Sequence, residues 1–206
     1  MPRARLRSAE AALQAEIRAA AAIDHPHVVR LFDYGTAPEG LASIPAGAPW
    51  VAMELAPGGS LADHAAFLDW PSLRTALIQV LSALAAVHAR GLLHRDVKPG
   101  NILLKGGLNP PDIRLADFGL ASWRAGGGAG TDRPVEAIGT PRYMAPEQLS
   151  GDWRALGPWT DLFAVGCLGW TLVTGRPPAM ETDPGALLAA RHQPLPAFRP
   201  ALAVPP

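Results

Sequence analysis

The reading of this sequence turns on His94-Arg95-Asp96-Val97-Lys98-Pro99-Gly100-Asn101, residues 94–101. A carboxylate, an ammonium two positions on and an amide three positions beyond that share one short segment with a proline. Alone, such a segment reads equally well as a turn with a structural ion pair. Its surroundings narrow the choice. Ile102 to Leu104 and Ile113 to Leu115 are β-rich apolar runs joined by the turn Gly106-Gly107-Leu108-Asn109-Pro110-Pro111-Asp112. Asp117-Phe118-Gly119 stands just beyond the second run, Gly139-Thr140 follows, and then Ala145-Pro146-Glu147.

Farther out, helical and extended patterns alternate. Residues 8–23 read as a helix that Ser8 caps, with Leu13, Ile17 and Ala20 or Ala21 on one face; His25-Pro26 stops it. Val28 to Tyr34 and Trp50 to Leu55 are expected to be two antiparallel strands. Pro57-Gly58-Gly59 breaks the chain, and Ser60 can cap a short helix. The clearest helix runs from Pro71 to Ala89, with Leu73, Leu77, Val80, Leu81, Leu84 and Val87 at helical spacing. Downstream, Ser122 to Val135 is glycine-rich and aperiodic, which predicts a loop. Leu162 to Thr174 reads as a buried helix and Gly185 to His192 as another, before a proline-rich, extended tail. The pattern predicts an α+β fold.

Composition excludes several classes of function. Of 206 residues, 49% are apolar and 17% charged, which is globular. A formal net charge of zero offers no nucleic-acid or anionic-membrane surface. The lone Cys167 excludes an internal disulfide and, in an apolar run, reads as a buried inert thiol. That run, Leu162 to Val173, is too short to span a bilayer, and the N-terminus has no apolar signal core. The expectation is a cytoplasmic protein with no membrane segment in this chain.

In order and spacing, the segments around Asp96, Asp117 and Glu147 resemble the catalytic loop, magnesium loop and activation-segment end of eukaryotic-like (Hanks-type) serine/threonine protein kinases. The Arg-, Ala-, Pro- and Gly-rich composition is similar to that of products of GC-rich bacterial genes. The resemblance implies a kinase-like α+β fold. A partial small lobe would occupy residues 1–55, and a mainly helical large lobe residues 56–206. It implies ATP and Mg²⁺ as cofactors and a protein Ser/Thr hydroxyl as acceptor. Asp96 would accept the hydroxyl proton, Lys98 would stabilise the transferring phosphate, and Asn101 and Asp117 would supply oxygens to magnesium. Lys98 and Thr140 speak for serine/threonine over tyrosine substrates.

By the same resemblance, Met53-Glu54-Leu55-Ala56 is the hinge. Backbone groups of Glu54 and Ala56 would meet the adenine edge, with Met53 behind it and Leu103 as its floor. His94 and Phe118 would be packing residues. Asp161 would anchor the catalytic-loop backbone, and Glu147 would seek an arginine that is not at the expected distance. Glu16 takes the place of the helix glutamate that pairs with a strand lysine. Arg95 would receive a phosphate on Thr131, unless Asp132 or Glu136 supplies that negative charge permanently.

The pattern departs from the family ahead of Glu16. No GxGxxG precedes that residue, Gly126-Gly127-Gly128 is no substitute, and the lysines of the sequence are Lys98 and Lys105. The expectation is a kinase core trimmed at both ends, weak or inactive by itself. The alternative is a pseudokinase or degenerate fragment that serves as a protein-binding module.

Overall fold

The computed structural model describes residues 18–39, 44–117 and 141–205. Its strands are β1 (Leu31–Thr36), β2 (Pro49–Met53), β3 (Ile102–Leu108) and β4 (Pro111–Leu115); its helices are α1 (Leu61–His64), α2 (Trp70–His88), α3 (Pro146–Leu149), α4 (Pro158–Thr174) and α5 (Pro184–Arg191). Short 3-10 turns at Ala65–Phe67, Pro99–Asn101 and Pro141–Tyr143 complete the set. Of the expected helix 8–23, residues 8–17 lie outside the described residues, 18–21 are helical and the helix stops two residues earlier than expected; the glycine-rich stretch Ser122 to Val135 also lies outside the described residues.

Helix α2 is the organising element. Asp69 caps it by accepting the Ser72 N–H at 2.9 Å, and Pro71 stands in its first turn, where no N–H is needed. Its stripe Leu73, Ala76, Val80, Ala83, Leu84 and Val87 is buried against β4 and α4. By length and composition α2 would pass for a membrane-crossing helix. Instead the stripe forms the centre of one continuous core that also takes in Ala20, Ile23, Val29, Ile102, Ile113 and Leu168.

Two antiparallel hairpins flank that core, one of β1 and β2 and one of β3 and β4. The pairing Leu31↔Met53 followed by Asp33↔Ala52 leaves Phe32 as the extra residue of a bulge, 65% exposed. Val28 was expected in the first strand. It lies instead in a parallel bridge to Leu115, with the Val29 N–H on the Leu115 carbonyl and the Leu115 N–H on the His27 carbonyl. This short bridge ties the two hairpins together. The proline break at 57–59 runs across β3: Gly58 N–H donates to Leu104, and Leu104 N–H to Gly59. A Cβ at Gly58 would collide with the carbonyl oxygens of Leu104 and Gly106, so glycine is required there.

Helix α4 starts at Pro158 and ends at Gly175, whose φ of 75° is the left-handed cap that glycine favours. Cys167 on α4 is 5% exposed, and burial raises its thiol pKa, as an inert core cysteine requires. The proline-rich tail has no regular structure, yet it is docked. Ala201 and Leu202 donate backbone N–H groups to the Val173 carbonyl, and the Phe198 ring meets Trp170 edge-on at 5.4 Å.

One polar side chain joins the large helix to the hairpin. Gln79 donates from Nε2 to the Pro111 carbonyl at 2.9 Å and accepts the Ile113 N–H at 3.0 Å. Replacing Gln79 with Leu strands both backbone groups. The expected loss is about 2 kcal/mol in urea unfolding, with faster hydrogen exchange at the Ile113 amide.

Candidate active site

The loop at residues 94–101 is held from behind by one buried carboxylate. Asp161, in the first turn of α4, has no solvent exposure. Its Oδ2 accepts the His94 N–H at 2.9 Å and the His88 Nε2–H at 2.7 Å, while Oδ1 accepts the Arg95 N–H at 2.7 Å. Two successive backbone N–H groups converge on one carboxylate only if the chain curls tightly. Arg95 accordingly has a φ of 65°, left-handed backbone that a non-glycine residue adopts at a cost of about 1 kcal/mol or more. The bonds from Asp161 hold it there.

His94 is fully buried. Its Nε2 meets the Ala116 carbonyl at 2.8 Å, and the Asp96 N–H meets its Nδ1 at 3.2 Å. A single neutral tautomer, with the proton on Nε2, satisfies both. Burial holds the ring pKa below the usual value for histidine, against the opposing pull of Asp161, the Ala116 carbonyl, Asp96 and Asp117. The packing role expected of His94 is therefore joined by a hydrogen-bonding one.

Asp96, 9% exposed, sits on this curled loop. Lys98 Nζ contacts its Oδ2 at 2.7 Å, and Asn101 Nδ2 donates to the same oxygen at 3.0 Å and to the Asp96 carbonyl at 2.8 Å. Oδ1 receives no hydrogen bond from the described residues. The carboxylate is thus fixed at one oxygen and open at the other. Because the Asn101 nitrogen faces Asp96, its Oδ1 is turned away and is likewise unclaimed among the described residues.

The 3-10 turn Pro99–Asn101 leads straight into β3. Ile102 pairs with Leu115, so Asn101 faces Ala116, whose N–H donates to the Asn101 carbonyl at 2.9 Å. Asp117 is the next residue and also has a φ of 65°. The hairpin therefore brings Asn101 and Asp117 to the same end of two adjacent strands. An amide oxygen and a carboxylate from two loops make a hard-oxygen donor set that suits magnesium.

The expected hinge follows β2. Met53 is the last residue of that strand, paired with Leu31 and 36% exposed. The Glu54 N–H donates to the Arg30 carbonyl at 2.8 Å, so the backbone at this point is still paired with the segment before β1. The Glu54 side chain has a function that sequence reasoning missed. Glu54 Oε1 pairs with Lys105 at 2.9 Å and Arg114 at 3.4 Å, clamping the hinge onto β3 and β4. The Lys105 bond, ahead of the other groups, keeps the Glu54 carboxyl below the usual carboxylate range. Leu103 and Ala56 are half-buried, and Leu103 bridges to Ser60, so the hinge and the proposed adenine floor share one wall.

Glu147 also finds a partner other than an arginine. Its Oε1 accepts the Thr160 hydroxyl at 2.6 Å, and that hydroxyl oxygen accepts the Gly157 N–H at 3.1 Å. Gln148, which sequence reasoning passed over, donates to the Arg95 carbonyl at 2.9 Å and so ties α3 to the catalytic loop. Nothing in the local sequence distinguishes it from a surface glutamine. Glu16, Phe118, Thr131, Asp132, Glu136 and Thr140 lie outside the described residues.

A protein kinase domain family model matches residues 2–196, and the chain belongs to the protein kinase family. It is 35% identical over 189 residues to the serine/threonine-protein kinase pkn3 of Myxococcus xanthus, covering 88% of this chain and 32% of that protein. Against Pkn1 of the same organism the identity is 37% over 184 residues, 87% of this chain and 24% of the relative. Human calcium/calmodulin-dependent protein kinase type 1B is 35% identical over 188 residues, 89% of this chain and 50% of the relative. The chain thus spans half or less of the length of these relatives. Among solved structures, that of Rad53 1-466 in complex with AMP-PNP superposes with a TM-score of 0.63 at 25% identity, over 86% of this chain and 42% of that one. The expected kinase-like α+β fold is the observed one.

Two outcomes are expected. Asp161→Ala leaves the His94 and Arg95 N–H groups buried without an acceptor and lowers the unfolding free energy by about 3 kcal/mol or more in denaturant titration. His94 gives a pH dependence. The unfolded chain protonates this ring near its ordinary pKa of 6.5, whereas the fold keeps it neutral. The contribution is thus complete above that value and is lost as pH falls below it. The melting temperature should fall progressively as pH is lowered below about 6.5, and more shallowly in His94→Phe.

Proposed function

We propose that this chain carries the phosphoryl-transfer centre of an ATP- and Mg²⁺-dependent serine/threonine protein kinase. The observation that carries this reading is the state of Asp96, clamped at Oδ2 by Lys98 and Asn101 and open at Oδ1. An acceptor Ser or Thr hydroxyl would donate to Oδ1, which aligns the hydroxyl oxygen for attack and takes its proton as the new P–O bond forms. Lys98, pinned two residues on, places a positive charge beside the same oxygen pair, where it would offset charge on the phosphate. Asn101 Oδ1 and Asp117 would hold the metal, which when bound neutralises charge on the phosphate oxygens. The Glu54 carbonyl and Ala56 backbone would meet adenine, over Leu103.

A second reading is supported by the lack of any lysine ahead of Lys98 in the sequence. Among the described residues, the groups offered to the phosphates are Lys98 and the metal that Asn101 and Asp117 would hold, so transfer by the isolated chain would be slow, and its role would be to bind a partner protein. One experiment separates the two. The purified chain is given radiolabelled ATP, Mg²⁺ and a mixed Ser/Thr protein acceptor, with nucleotide binding followed by calorimetry. The kinase reading expects measurable transfer that falls at least about 100-fold in Asp96→Asn while nucleotide binding persists. Equal transfer by both proteins would refute it; nucleotide binding with no transfer by either selects the binding module.

A further inference from the structure

Beyond Asp96, two arginines meet where Pro141–Tyr143 packs against α4 and the last turn of α5. Arg191 lies over the Phe163 ring, 5.1 Å from its centroid, and its Nη2 donates to the Arg142 carbonyl at 2.6 Å. Arg142 Nη2 reaches the Met180 carbonyl at 3.3 Å. Each guanidinium therefore spends one N–H on a neutral carbonyl. Both Nε atoms are buried and without a hydrogen-bond acceptor.

No carboxylate among the described residues forms an ion pair with either arginine. Glu147, on the neighbouring helix α3, is committed to Thr160, and Glu181, which follows Met180, pairs with neither. Two half-buried cations without a counter-charge are costly unless an anion completes them. The guanidinium fork matches a carboxylate. The location is informative, because α3, directly after this segment, is tied to the catalytic loop by Gln148 on the Arg95 carbonyl. Close to Asp96, Asp161 is buried and satisfied and Gly100 carries no side chain, with open space beside it.

We propose that Arg142 and Arg191 form an anion subsite that takes an acidic side chain of the protein substrate, so that the chain favours Ser/Thr in acidic segments. This rests on the kinase reading for the word substrate, but the subsite itself is tested by binding alone. Fluorescence anisotropy would compare a labelled peptide bearing one serine flanked by glutamates with its glutamine counterpart. The expected result is about ten-fold tighter binding of the glutamate peptide, a preference abolished in Arg142→Gln and weakened by salt. Because Arg191 also packs on Phe163, Arg142→Gln carries the test, with an unchanged melting temperature as the control. Arg154→Gln, on the exposed loop before α4, should keep the preference. Equal affinity for the two peptides, or a preference that survives in Arg142→Gln, overturns the proposal. Competition by inorganic phosphate without a peptide preference also overturns it, since that marks an anion site that does not read peptides. Loss of catalysis with the preference intact sinks the kinase reading and leaves the subsite standing.

Discussion

A single carboxylate with no access to water sets the geometry of the site. Burying a carboxylate charge costs several kcal/mol unless both of its oxygens are well supplied with hydrogen bonds. Asp161 meets that condition with three donors: the backbone N–H groups of His94 and Arg95, and the His88 ring at the end of α2. The constraint works in both directions. The loop must curl for its donors to reach the carboxylate, and the carboxylate must be supplied with donors for α4 to seat in the core. The left-handed conformation of Arg95 follows, and with it the direction in which Asp96 faces. The large helices α2 and α4, which bury most of the apolar surface, are thereby coupled to the one loop that carries chemistry.

The other acidic side chains of the site divide by the same criterion. Glu147 is held by Thr160 and Glu54 by Lys105 and Arg114, so both stabilise structure. Asp96 differs in combining near-burial with donors on one oxygen only among the described residues, one of them a lysine ammonium. Near-burial and an unclaimed oxygen are a combination that a purely structural carboxylate does not retain. The clamp on Oδ2 also removes rotational freedom, so the open oxygen is presented in one orientation. Preorganisation of this kind is what phosphoryl transfer demands, since little of its barrier is lowered by covalent help.

Much of the fold was legible because its signals are local. The stripe from Leu73 to Val87 marked α2 to within a residue, Ser60 marked the short helix α1, and Gly175 with Pro177 and Pro178 marked the end of α4. The order of Asp96, Lys98, Asn101, Asp117 and Asp161 was equally visible, since spacing within a loop and along a strand is a property of the chain. Long-range partners were not visible. Val28 left the first strand to bridge Leu115, and the Glu54 side chain turned to Lys105 and Arg114. Glu147 took a threonine where an arginine was sought, and the proline-rich tail docked on α4 through Phe198 and Leu202.

The sequence by itself determined which residue types sit at each local position: the carboxylate, ammonium and amide of residues 94–101, the apolar periodicities, and the glycines and prolines that end elements. Hydrophobic periodicity and turn chemistry act over a few residues, so they can be read without coordinates. Only the tertiary structure decided which of those groups are used up. Whether a carboxylate is reactive or structural depends on donors that arrive from 66 residues away, as at Asp161 and Arg95. The same holds for the arginines at 142 and 191, 49 residues apart in the chain and brought together only by packing. Hydrogen bonds and desolvation are set by spatial neighbours, and the fold selects those.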